Sequence, residues 1–145
     1  MSQAHVLVVD DDPAVRDVLQ EVLRQEEYSV STAEDGAAAI QAVKDSVIHI
    51  VITDFQLPDI DGLEIIDRLA KFDAKIIPIM MTGFGTIETA VRAMKSGAFD
   101  FITKPFDLET VAMVVRKAAE LLRLRQENHL LRKAVRDQYR LEHLV

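Results

Sequence analysis

The chain has 145 residues, 49% of them hydrophobic but only 6% aromatic, and no cysteine. That length supports one domain, or one domain with an appendage, around an aliphatic core, and the absence of thiols excludes disulfides and thiolate metal sites. The net charge of −7 is uneven: residues 1–106 carry 9 Lys/Arg against 18 Asp/Glu, and residues 107–145 carry 8 against 6. An acidic body disfavours direct nucleic-acid binding.

In chain order, "HVLVVD" (5–10), "YSVSTA" (28–33), "IHIVITD" (48–54), "IIPIMMT" (76–82) and "FDFITK" (99–104) read as strands. The first, third and fourth are apolar nearly throughout, as central strands covered on both faces must be, whereas 28–33 alternates and suits an edge. Amphipathic segments at 13–26, 35–46, 62–72 and 86–96 read as helices. Asp12 before Pro13 is N-cap and N1 chemistry, and Gly36 and Gly97 punctuate boundaries. Strands alternating with helices predict a doubly wound, five-stranded parallel α/β sheet. No apolar run is long enough to span a bilayer and no leader pattern is seen, so a cytoplasmic chain without membrane contact is expected.

From Asp107 to Val145 there is neither Gly nor Pro, so a single helix can run through. Val111, Val115, Ala118 and Leu122 suit packing on the sheet, yet the pattern continues for about six turns beyond them. There Leu121, Leu124, Asn128, Leu131, Val135 and Gln138 recur in steps of three and four, a heptad seam with Asn128 at an a position. The division expected is residues 1–120 as the globular domain and 121–145 as a coiled-coil dimerisation helix making a homodimer.

The strand assignment brings Asp10, Asp11, Asp54, Thr82 and Lys104 to the C-terminal edge of the sheet, the usual ligand crevice of such folds. Asp12, Asp59 and Asp61 read as turn and cap residues. Three clustered carboxylates repel one another and call for positive charge, which Lys104 and a hard divalent cation such as Mg²⁺ would supply. The four histidines, 5, 49, 129 and 143, lack metal-ligand spacing.

The stretches "VLVVDDDP", "VITDFQLPDIDGLE", "IMMTG" and "FITKPF" resemble the receiver domain of bacterial two-component response regulators over residues 4 to about 120. The segment from Gly83 to Val111 is similar to receivers of sigma-54-dependent enhancer-binding activators. The resemblance implies a flavodoxin-like strand order 2-1-3-4-5. It implies Asp54 as acceptor of a phosphoryl group from a sensor histidine kinase, in a signalling domain that assists its own phosphotransfer and autodephosphorylation. Mg²⁺ would be held by Asp10, Asp11, Asp54 and the backbone carbonyl of Gln56. Lys104 and Thr82 would contact phosphoryl oxygens, with Gly83 leaving room beside them. Thr82 and Phe101 would form the switch, and the Lys104–Pro105 bond would be cis. A linker helix would lead to AAA+ and DNA-binding domains, neither of which follows in this sequence.

Two other classes compete. A flavin or nucleotide carrier would need Gly, Ser and backbone N–H groups in the first strand–helix loop, where "DDDPAV" offers acids. An aspartyl-phosphate phosphatase would need a second acid two residues past the nucleophile, where Gln56 stands.

Overall fold

The computed structural model describes residues 4–83 and 87–142, the side chains of the last four excepted. Residues 84–86, where the fourth helix was expected to start, and His143 at the chain end lie outside the described residues. Five strands alternate with five helices: β1 His5–Val9, α1 Pro13–Gln25, β2 Ser29–Ala33, α2 Gly36–Asp45, β3 Ile50–Asp54, α3 Gly62–Phe72, β4 Ile77–Thr82, α4 Ile87–Lys95, β5 Asp100–Thr103 and α5 Leu108–Glu142. The pairings between these five strands are all parallel, in the order β2-β1-β3-β4-β5, as the resemblance implied.

The two-residue period of a strand explains the layers. Val6, Val8, Ile50, Ile52, Ile77, Ile79 and Met81 point to one face, where Leu19 and Leu23 of α1 and Val111, Val114, Val115 and Ala118 of α5 cover them. Leu7, Val9 and Val51 point to the other, beneath Ala39 and Val43 of α2 and Ile65 and Leu69 of α3. A smaller cluster of Ile66, Met80, Ala93 and Ala98 seats α4. β1, β3 and β4 are therefore apolar on both faces, and β2, with Ser29 exposed, lies at an edge.

The third strand begins at Ile50 rather than Ile48, because the His49 N–H turns to the His5 carbonyl and the His5 N–H bonds the His49 Nδ1 at 2.9 Å. The helix starts at Asp12 and Asp61 follow the expected chemistry, whereas Asp35, expected inside the second helix, stands just before it. Asp12, Asp35 and Asp61 cap α1, α2 and α3 through their side chains. α1 ends differently: Tyr28 N–H reaches the Leu23 carbonyl, Glu27 N–H reaches Arg24, and Glu27 takes φ 71°. The end of α4 shows the same pair of bonds, with Gly97 at φ 105°.

α5 runs 35 residues. Its first half is seated on the core, and Leu121 and Leu122 still touch that cluster while partly buried. Leu124, Leu130, Leu131 and Val135 beyond them are exposed, at 49%, 61% or more. Among the described residues no helix is long and apolar enough to cross a membrane.

Candidate functional site

Asp10 follows β1 and is fully buried; Asp54 ends β3 and is half-buried; Asp11 stands exposed beside them. One carboxylate oxygen from each lies within 4.8 Å of the others. The cis Lys104–Pro105 bond follows β5, and the Lys104 backbone N–H donates to the Thr82 carbonyl at 2.7 Å, tying β5 to β4 at this edge. The Lys104 ammonium reaches between the acids, 2.6 Å from Asp10 Oδ2 and 3.0 Å from Asp54 Oδ2. Asp11, Asp54, Phe55, Gln56, Thr82, Gly83 and Lys104 share a cleft of about 420 Å³.

Each buried charge has its partner. Asp10 takes Lys104 on one oxygen and the Asp12 N–H, at 2.9 Å, on the other. Asp54 takes Lys104 on Oδ2 and the Gln56 N–H, at 3.3 Å, on Oδ1. Burial pushes the Asp54 carboxyl above its ordinary value, with Asp10 adding to the rise, against the pull of Lys104. Burial works against the Lys104 charge, but its bonds to Asp10 and Asp54 and their negative charge outweigh it and raise the ammonium above its ordinary value. The pair of shifts describes one ammonium shared by two acids, which keeps its own charge while burial still works against that of Asp54.

Thr82 is buried at the end of β4 and lines the same cleft. Gly83 beside it has open space, since a Cβ there would meet nothing within 4 Å. Phe101 on β5 is partly buried against the α4 cluster, paired with Met80 in the ladder. Gly62 is a different case: a Cβ there would fall 2.6 Å from the Asp54 backbone oxygen, so α3 can start this close to β3 only with glycine.

Two contacts at the site were not legible in the sequence. Arg16 of α1 donates to the Asp10 backbone carbonyl at 2.7 Å, clamping the end of β1. Asp59 does not serve its own loop alone. Its two oxygens accept the N–H groups of Gly36 and Ala37 at 2.8 and 2.9 Å, so it caps α2 from 22 residues away in sequence. Those N–H groups hold its carboxyl below the ordinary carboxylate value. The nearest sequence signal was the run of acids after Pro58, which does not name a partner helix.

A doubly wound parallel sheet with three acids, a buried hydroxyl and an ammonium at its C-terminal edge defines a class: a CheY-like α/β signalling domain. The chain belongs to the response regulator receiver domain family, matched over residues 6–116. It is 36% identical over 140 residues to the C4-dicarboxylate transport transcriptional regulatory protein DctD of Pseudomonas aeruginosa, a match that covers 97% of this chain and 30% of that protein. Its fold matches NtrX from Brucella abortus with a TM-score of 0.85 at 37% identity, over 90% of this chain and 30% of that one. It matches the beryllofluoride-activated NtrC4 receiver domain dimer with a TM-score of 0.77 at 34% identity, over 80% of this chain and 96% of that one. The kinship to sigma-54 activators expected from the motifs therefore holds. The chain spans about 30% of the length of DctD. Switching by phosphorylation is the general function of the family.

Proposed function

We propose that Asp54 is the residue phosphorylated, that a sensor histidine kinase supplies the phosphoryl group, and that the switch acts on AAA+ and DNA-binding domains of a transcription activator. The observation that carries this reading is the shared ammonium. Lys104 bridges Asp10 and Asp54, leaving the three acids two negative charges in excess. An all-oxygen donor set with that excess suits a hard divalent ion, and Asp10, Asp11, Asp54 and the Gln56 carbonyl are the groups to hold Mg²⁺. When bound, Mg²⁺ supplies charge neutralisation on the transferring phosphoryl oxygens.

The chain's own groups do the rest. An Asp54 oxygen forms the bond to phosphorus as the bond from phosphorus to the donor's histidine nitrogen breaks, and the Lys104 ammonium neutralises charge on the phosphoryl oxygens. The Thr82 hydroxyl, at the cleft wall, moves toward the phosphoryl group, and Phe101 turns further in. Phe101 has no hydroxyl, so the change is one of packing against α4, whose Ile87, Val91 and Met94 are exposed and form the face that is altered. Hydrolysis of the aspartyl phosphate within the same cleft would reset the switch.

The tail supports a homodimer. Leu124, Leu131 and Val135 expose an apolar seam, with Leu121 at its root and Asn128 among them. With Leu121 at a, Glu120 and Glu127 fall at g and Arg125 and Arg132 at e. In a parallel pair each Glu faces an Arg of the second copy, whereas an antiparallel pair sets like charges together.

Labelling with acetyl phosphate tests the site. The wild type should be labelled only with a divalent ion present, Asp54→Asn not at all, and Asp11→Ala only at raised Mg²⁺. Full labelling of Asp54→Asn, or undiminished labelling in excess chelator, would end this assignment.

A further inference from the structure

Residues Phe55, Gln56, Leu57 and Pro58 line the cleft, and the loop they open, which runs to Asp61, is held at its ends by three contacts. Phe55 N–H donates to the Met81 carbonyl and Gly62 N–H to the Phe55 carbonyl, both at 2.7 Å, and Gln56 bridges to Asp61. These secure the two ends of the loop to β4 and α3. The middle of the loop is secured by Asp59, whose carboxylate spans the N–H groups of Gly36 and Ala37 at the start of α2.

α2 does not need this carboxylate in order to start, because Asp35 already caps it by accepting the Ala38 N–H at 2.8 Å. Asp59 takes up two of the donors that a helix start leaves without a partner inside the helix, in a two-pronged geometry that fixes direction as well as distance. Ile60 closes the junction from below. A Cβ on Gly36 would collide with it, so loop and helix meet at van der Waals distance. Between Asp59 and the Asp54 carboxylate lie Pro58 and Leu57, with the proline ring restricting both its own φ and the residue before it. A shift at Asp59 is thus passed along a stiff segment to Gln56.

Building on the reading of the site above, we propose that Asp59 is a positioning residue for phosphoryl transfer. Its clasp on the start of α2 keeps the Gln56 backbone at the distance from Asp54 that ion binding requires. Asp59 contacts neither ion nor phosphoryl group.

The test compares wild type, Asp59→Asn and Asp59→Ala for acetyl phosphate labelling across a Mg²⁺ titration, with thermal midpoints measured alongside. Asp59→Ala should raise the half-saturating Mg²⁺ concentration about tenfold, in line with other contacts that orient ligands from behind. Asp59→Asn, which keeps one acceptor, should fall between, and labelling at saturating Mg²⁺ should approach the wild-type rate in both. The same half-saturating concentration in all three proteins would overturn the proposal, as would a loss that merely tracks the unfolded fraction. A wild type labelled without regard to Mg²⁺ would instead remove the reading of the site on which the proposal rests, and the proposal with it.

Discussion

The Lys104 ammonium sits 2.6 Å from the fully buried Asp10 and 3.0 Å from the half-buried Asp54. The lysine is anchored by the acid that cannot reach water and is shared with the acid that faces the cleft. Asp54 is therefore held in place by a partner whose position the buried acid fixes.

Removing that ammonium leaves Asp10 buried with a single backbone donor. Breaking one side of a buried ion pair costs on the order of 3 kcal/mol, so Lys104→Met should lower the unfolding free energy from urea denaturation by that amount in metal-free buffer. Mg²⁺ should restore part of the loss by taking over the neutralisation. A variant as stable as wild type without metal would show that the pair does not carry this energy.

The raised pKa of Asp54 gives a pH dependence with a defined sign. Folding favours its protonated form, so the stability this group contributes is complete below its ordinary value of 3.8 and is lost as pH rises through the folded-state value. At neutral pH the ionised carboxylate is a net cost. Asp54→Asn should accordingly unfold at higher urea than wild type at pH 7, and the two midpoints should converge toward pH 3. A wild type that is the more stable at pH 7 would contradict this.

Glu27 and Gly97 occupy equivalent positions after α1 and α4, both with positive φ. A side chain in that region costs about 1 kcal/mol relative to glycine. Glu27→Gly should therefore stabilise the fold by about 1 kcal/mol in chemical denaturation, while Gly97→Ala should destabilise it by a similar amount. Space is not the obstacle at Gly97, since a Cβ there meets nothing within 4 Å.

Leu121 and Leu122 belong to the core cluster as partly buried residues, whereas Leu124, Leu131 and Val135 are exposed. A chain ending at Arg123 should keep the thermal stability of the globular part and sediment as a monomer. A chain ending at Ala119 should lose about 2 kcal/mol as well, the worth of roughly one buried leucine. The full chain should sediment as a dimer, and Asn128→Ile should tighten it while admitting higher oligomers. A monomeric full chain, or an equally dimeric chain ending at Arg123, would remove the coiled coil.

The sequence by itself determined the elements and their order. Apolar runs on β1, β3 and β4 can only be strands covered on both faces, and Asp12 and Asp61 mark helix starts by local hydrogen bonding that needs no distant partner. The convergence of Asp10, Asp54, Thr82 and Lys104 was equally legible, because parallel strands necessarily bring their C-terminal ends to one edge. Tertiary structure alone decided which acid the lysine holds more tightly, that Arg16 clamps the Asp10 carbonyl, and that Asp59 serves α2 as well as its own loop. It also decided that Leu121 leans on the domain rather than standing clear of it. Periodicity and spacing report which face a side chain is on. Which partner it meets depends on how loops and helices from distant parts of the chain are stacked, and no local pattern encodes that distance.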